Sequence, residues 1–213
     1  TLTYTGEGAG ARAINVESNV ADLTVENLTI DCTASYCQRG INYNTTANLT
    51  LNGVTVKGTN VTYAVNLPSN SDGSTITIEN SSLNGNIALN IWGENTVVNA
   101  TDSDFISVDN ASHENYAAIS INNDGSNSAE GTALNITRGS IKALDENEDW
   151  STALSNATIN STWNISQETE VIGYIRDVVA IIPFEGSTQY YSFFTLQDAV
   201  DYAVGKNNVT VKV

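Results

Sequence analysis

The chain has no methionine, one histidine, two cysteines and only eight lysines and arginines in 213 residues. Those eight face twenty-four Asp and Glu, leaving a formal charge of −16. Phosphate backbones and anionic membrane surfaces are therefore repelled, and nucleic acid is not an expected partner. No stretch approaches the roughly twenty apolar residues that span a bilayer, and the N-terminus has neither a basic region nor an apolar signal run. No membrane insertion is expected within the chain. Starting at Thr1 and lacking Met, the sequence reads as an excised or mature fragment whose targeting signals, if any, lie outside it. The lone histidine, His113, has no Ser or Cys partner in a recognisable frame and reads as a loop residue.

The two cysteines, Cys32 and Cys37, are close enough in sequence for a disulfide to close a tight local loop. Two free thiols are the alternative. A metal site is disfavoured because there is no second cysteine pair and His113 is distant. The disulfide reading leads because the rest of the composition looks extracellular. What the chain does contain is 40% hydrophobic residues, enough for a continuous core. It also carries twelve N-x-S/T sequons between Asn27 and Asn208, read as structural because stacked turns favour Asn and strands favour Thr.

Two short patterns recur in alternation. The first is a small residue, an aliphatic, Asn or Ser, then an apolar residue: Ala13-Ile14-Asn15-Val16, Gly40-Ile41-Asn42-Tyr43, Ala64-Val65-Asn66-Leu67, Ala88-Leu89-Asn90-Ile91 and Ala118-Ile119-Ser120-Ile121. Its aliphatics step by 27, 24, 24 and 30 residues. The second has apolar arms around a turn former, as in Val25-Glu26-Asn27-Leu28-Thr29-Ile30, Leu51 to Val56, Ile78 to Leu83, Ala100 to Phe105 and Ile136 to Ile141. The turn position reads Asn27, Gly53, Asn80, Asp102 and Arg138. All but the arginine adopt positive φ readily, as a one-residue corner between strands demands, so Arg138 is expected to weaken the fifth repeat.

Period-two alternation on either side of each corner predicts strands with one apolar face. One strand from the first pattern, a variable loop and two strands around the corner make one coil, and stacked coils would pair strand on strand in parallel. An immunoglobulin-like sandwich would lack the repeated two-part unit, and a left-handed hexapeptide helix would keep a strict six-residue period. The expected fold is all-β, a right-handed single-stranded parallel β-helix with a short C-terminal helix-strand segment. The A-I-N-V strand followed by T-V-E-N-L-T-I resembles the pectate-lyase-like, right-handed β-helix repeats of bacterial surface proteins and adhesins, over about residues 11–143. The resemblance implies a secreted or surface-displayed bacterial protein and speaks to fold more than to function.

Coils are expected over 1–165, with Ala157 to Ile165 as an irregular further coil, the acidic run Asp145 to Asp149 as a solvated loop, and 166–213 as a cap or the start of a following module. Thr195, with Asp198 three residues on, predicts the start of an amphipathic helix whose inner face is Leu196, Ala199, Val200 and Ala203. Gly205 ends it, and Asn208 to Val213 reads as an alternating strand.

For chemistry, a lyase needs a basic residue and a charge to stabilise an enolate, and a hydrolase needs paired carboxylates. Arg12 and Arg39 are the only basic pair that the repeat makes neighbours, and balancing Glu17 or another surface acid explains them more simply. Asp102, Asp104 and Asp109 near the fourth corner read as solubilising acids. Alternating oxygens in Asn122 to Ser128 suit calcium, with Asp124 as its carboxylate, yet one acid supplies little charge. No cofactor is expected there. The column Asn15, Asn42, Asn66 and Asn90 is expected to face away from the buried Ile14, Val16, Ile41, Val65, Leu67, Leu89, Ile91, Ile119 and Ile121. Such a face could bind carbohydrate beside the ring of Trp92 or Tyr43, although stacked amides also satisfy one another. The expectation is a non-enzymatic adhesin or stalk module meeting host or cell-surface glycans or proteins, with a β-helix polysaccharide lyase or glycoside hydrolase as the alternative.

Overall fold

A strand whose apolar residues alternate with Thr, Asn and Glu buries only one face, so each repeat needs neighbours of the same pattern on either side. The computed structural model, which describes every residue except 7, 9, 19, 109–115 and 144–151, satisfies that need with parallel pairing throughout its two large sheets. His113, Asp109 and the acidic run 145–149 fall outside the described residues.

The first-pattern residues form a seven-stranded sheet whose members are Arg12–Val16, Cys37–Tyr43, Val61–Leu67, Ile87–Ile91, Ala117–Ile121, Thr152–Asn156 and Tyr174–Asp177. Its register runs Ile14 to Ile41 to Val65 to Leu89 to Ile119 to Leu154, joining the aliphatics that the repeat aligns. The second pattern builds an eleven-stranded sheet. Before the corner Val25, Leu51, Ile78, Ala100 and Ile136 stand in line, and after it Ile30, Val56, Leu83, Phe105 and Ile141. Apart from Val25, these ten residues are buried in one core with the aliphatics of the other sheet. Ile14 departs from the expected burial and is only half-buried, because its strand is the outer edge of its sheet.

All five corners take positive φ: Asn27 at 51°, Gly53 at 65°, Asn80 at 50°, Asp102 at 50° and Arg138 at 61°. Arg138 does not interrupt the pairing. Its Nε and Nη2 each donate to the Asp102 carboxylate one repeat earlier, both at 2.6 Å, and the strand Ala133–Ala143 runs straight through it. Gly139 follows with φ 84°, where an added Cβ would come within 2.1 Å of the Ser103 carbonyl oxygen. A glycine there lets the two backbones close over the arginine corner.

Pairing continues past residue 165, since Thr162–Ile165 and Glu170–Ile172 add to the larger sheet and Tyr174–Asp177 to the smaller. Next comes an antiparallel hairpin, Ala180–Pro183 with Tyr190–Phe193. The helix spans Leu196–Ala203, and the Thr195 hydroxyl accepts from the Asp198 amide at 3.1 Å as the capping pattern predicts. It lies against the hairpin, with the Tyr202 ring 4.9 Å from Tyr191 and 5.4 Å from Phe193. Only Ala199 of its expected inner face is fully buried, while Leu196 and Val200 are 50% and 43% exposed. The strand expected over 208–213 is reduced to one antiparallel bridge between Lys212 and Ile181.

Candidate ligand groove

The asparagine column is not an open face. Asn42, Asn66 and Asn90 are only 2–3% exposed, and Asn15, at the sheet edge, is the one that solvent reaches. At strand spacing each amide covers the next, and the donors all point one way. Asn122 Nδ2 donates to Asn90 Oδ1 at 2.6 Å, Asn90 to Asn66 at 2.7 Å, Asn66 to Asn42 at 2.8 Å and Asn42 to Asn15 at 2.9 Å. Asn15 Nδ2 then donates to Glu17 Oε1 at 2.6 Å.

A second amide row, Asn70 to Asn44, ends on Glu17 Oε2 at 2.8 Å. Hydrogen bonds from Asn44 and then Asn15 hold the Glu17 carboxyl below its ordinary range against a smaller opposing effect of desolvation. Glu17 thus terminates both rows, a role that the repeat could not reveal because it occurs once. Ser120 occupies the fifth place in the column but hands the ladder to Asn122, to which its hydroxyl donates at 3.1 Å.

Other sequence candidates are also taken up by the fold. Tyr43 is fully buried, and its hydroxyl donates to the Asn48 carbonyl at 2.7 Å, so it offers no ring to a ligand. Arg12 and Arg39 do stand opposite each other, and Arg12 lies 3.6 Å from Glu17. Arg39 is half-buried, its Nε has no hydrogen-bond partner, and burial followed by the Arg12 charge lowers its pKa. Cys32 and Cys37 are both buried as free thiols. Cys37 donates to the Arg39 carbonyl at 3.1 Å.

Asp124 accepts the Ser126 and Asn127 amides on one oxygen at 2.8 and 2.7 Å. Desolvation pushes its carboxyl up, but these amides outweigh it and leave the group below its ordinary value. Asp124 therefore braces a turn. Among the described residues no three His, Cys, Asp or Glu gather as a metal site.

Trp92 belongs to a different surface. Strands of the smaller sheet run into loops on one edge, and loops 44–48, 68–74, 92–96 and 122–132 lie rung upon rung. The Glu94 amide donates to Asp72 Oδ1 and the Gly73 amide to the Glu94 carbonyl, each at 2.8 Å, and the Asn95 amide reaches the Glu130 carbonyl at 2.8 Å. Close packing fixes the spacing, for a Cβ on Gly93 would meet Ser71 Oγ at 2.5 Å.

Four adjoining depressions run across these rungs. The widest, about 440 Å³, is lined by Ser18, Asn44, Thr45, Thr46, Ser69, Asn70 and Asp72. A narrow one of about 100 Å³ joins it through Ser69 and Asp72 and adds Trp92, Glu94 and 126–128. Two of about 170 Å³ continue it, one between Pro68, Trp92, Asp124 and Asn127, the other between Glu94, Asn123, Glu130, Gln189 and Tyr190. Shared linings make them one polar groove, with hydroxyls, amides and carboxylates around one half-buried indole.

No family model, curated protein or solved structure matches the chain. The signal for the groove in the sequence was Trp92 directly after Ile91, where the strand gives way to its loop. Which other loops would stack around that ring depends on register, and no motif marks it.

Proposed function

We propose that the repeats form a right-handed parallel β-helix, part of a secreted or surface-displayed bacterial protein, and that this chain serves it as a non-catalytic carbohydrate-binding adhesin or stalk module. The loop groove is its binding surface. One observation carries the binding reading: a continuous groove in which an indole, able to stack on the apolar face of a sugar ring, lies among Ser, Thr and Asn side chains that match sugar hydroxyls. In-register parallel pairing across loops of unequal length supports the β-helix reading.

A lyase would need a base beside its substrate, and the stacked Arg12 and Arg39 belong to strands rather than to the groove lining. Incubation with pectins, alginates and host glycans, with and without calcium, should give binding without product. Calcium-dependent release of unsaturated oligosaccharides, abolished by Arg39→Ala, would replace the adhesin reading by that of a lyase.

A further inference from the structure

We infer that the groove selects uncharged glycan chains and rejects acidic ones, an inference that rests on the carbohydrate reading above. Four acids, Asp72, Glu94, Asp124 and Glu130, line it along its length, and no Lys or Arg is among its lining residues. Asp72 gives Oδ1 to the Glu94 amide and keeps Oδ2 as an acceptor. An ionised carboxylate has no proton to donate. It can receive a sugar hydroxyl, but it meets a uronate, sulfate or sialic acid group only as a like charge. Partial enclosure makes that repulsion stronger than it would be in open water.

The shape agrees with a chain ligand. Successive rungs stand ~4.8 Å apart, close to the length of one pyranose ring, and the groove crosses four loops. Trp92 stands between the wide end at Asn44 and the narrower end at Asn127, so one ring would stack there while its neighbours run past the adjoining acids Asp72 and Glu94. Glycans of cell walls and surfaces supply both charge classes, so the discrimination is a property worth measuring.

The test is calorimetric titration of the whole chain with uncharged gluco-, manno- and galacto-oligosaccharides and with oligogalacturonates, alginate oligomers and sialylated glycans. At least one uncharged series should bind, with acidic oligomers ~10-fold weaker or more and the gap narrowing as salt is added. Trp92→Ala should weaken binding ~10-fold, whereas Trp92→Phe, which keeps a ring, should restore much of it. Asp72→Asn with Glu94→Gln should narrow the gap in low salt, and the asparagine still accepts the Glu94 amide. Circular dichroism checks that each variant folds. Acidic oligomers binding as well as uncharged ones would overturn this inference and leave the glycan reading standing. Binding indifferent to Trp92→Ala would overturn the placement. Absence of binding by every glycan, in a folded protein, would overturn the carbohydrate reading and this inference with it.

Discussion

At positions 27, 80, 102 and 138 a non-glycine residue is held in the left-handed region, and at the last three its side chain is hydrogen-bonded. Asn80 donates to the Asn52 side chain at 3.1 Å, and Asp102 accepts from Arg138. A β-branched residue has no such partner and a higher intrinsic cost at positive φ. Asn27→Val and Asn80→Val should therefore each lower stability in denaturant titration by about 1–2 kcal/mol, while Gly is tolerated. Harmless Val at both positions would show that the corners are not strained.

Acid titrates other single residues. The Thr33 hydroxyl and then the Lys57 ammonium hold the Asp31 carboxyl down at about 2. A folded value below the ordinary one means that the carboxylate stabilises the fold above the ordinary value, and that this contribution disappears as pH falls from ~4 toward 2. Asp22, held down by the Asn48 amide, and Asp102, by Arg138, shift in the same direction. Thermal stability should thus fall through that window, and Asp31→Asn should flatten the acid limb.

Among the elements, the asparagine ladder is the one most dependent on its neighbours. Removing the side chain of Asn66 leaves the Asn42 oxygen and the Asn90 amide buried with no partner. Each unsatisfied group costs about 1–3 kcal/mol, so Asn66→Ala should cost about 2–4 kcal/mol in chemical denaturation, more than a surface Asn would. A loss under 1 kcal/mol would mean that the ladder is not energetically coupled. The Thr195 cap is an element of another kind, for it orders a helix whose apolar residues Leu196 and Val200 stay 50% and 43% exposed.

For the molecule as a whole, stability is additive along the stack, because each repeat touches its neighbours and little else. The end strands have one partner and the middle ones two. Around the first repeat Leu23, Val25 and Leu28 are half-buried, and near the last Ile172, Tyr174 and Ile175 are 43–55% exposed, whereas Leu51, Ile78 and Leu89 are fully buried. Amide hydrogen exchange should therefore be slowest in strands 49–52, 61–67, 75–79 and 87–91 and faster toward 12–31 and 162–177. Uniform protection from end to end would show that the stack unfolds as a single unit.

The alternation and the spacing of the two patterns determined the strands, their parallel register and the five corners, because a period of two and a recurring turn residue are local facts that stacking only repeats. Arg138 was the one corner whose tolerance could not be read locally, since its partner Asp102 lies one repeat away. Tertiary structure alone decided that the asparagines close on themselves and end at Glu17, that Tyr43 turns into the core, and that the chain keeps pairing through Asp177. The groove belongs to that second class. Loops of unequal length carry no shared motif, and only the stacking of the strands beneath them brings Asn44, Asp72, Trp92, Glu94 and Asn127 to one surface.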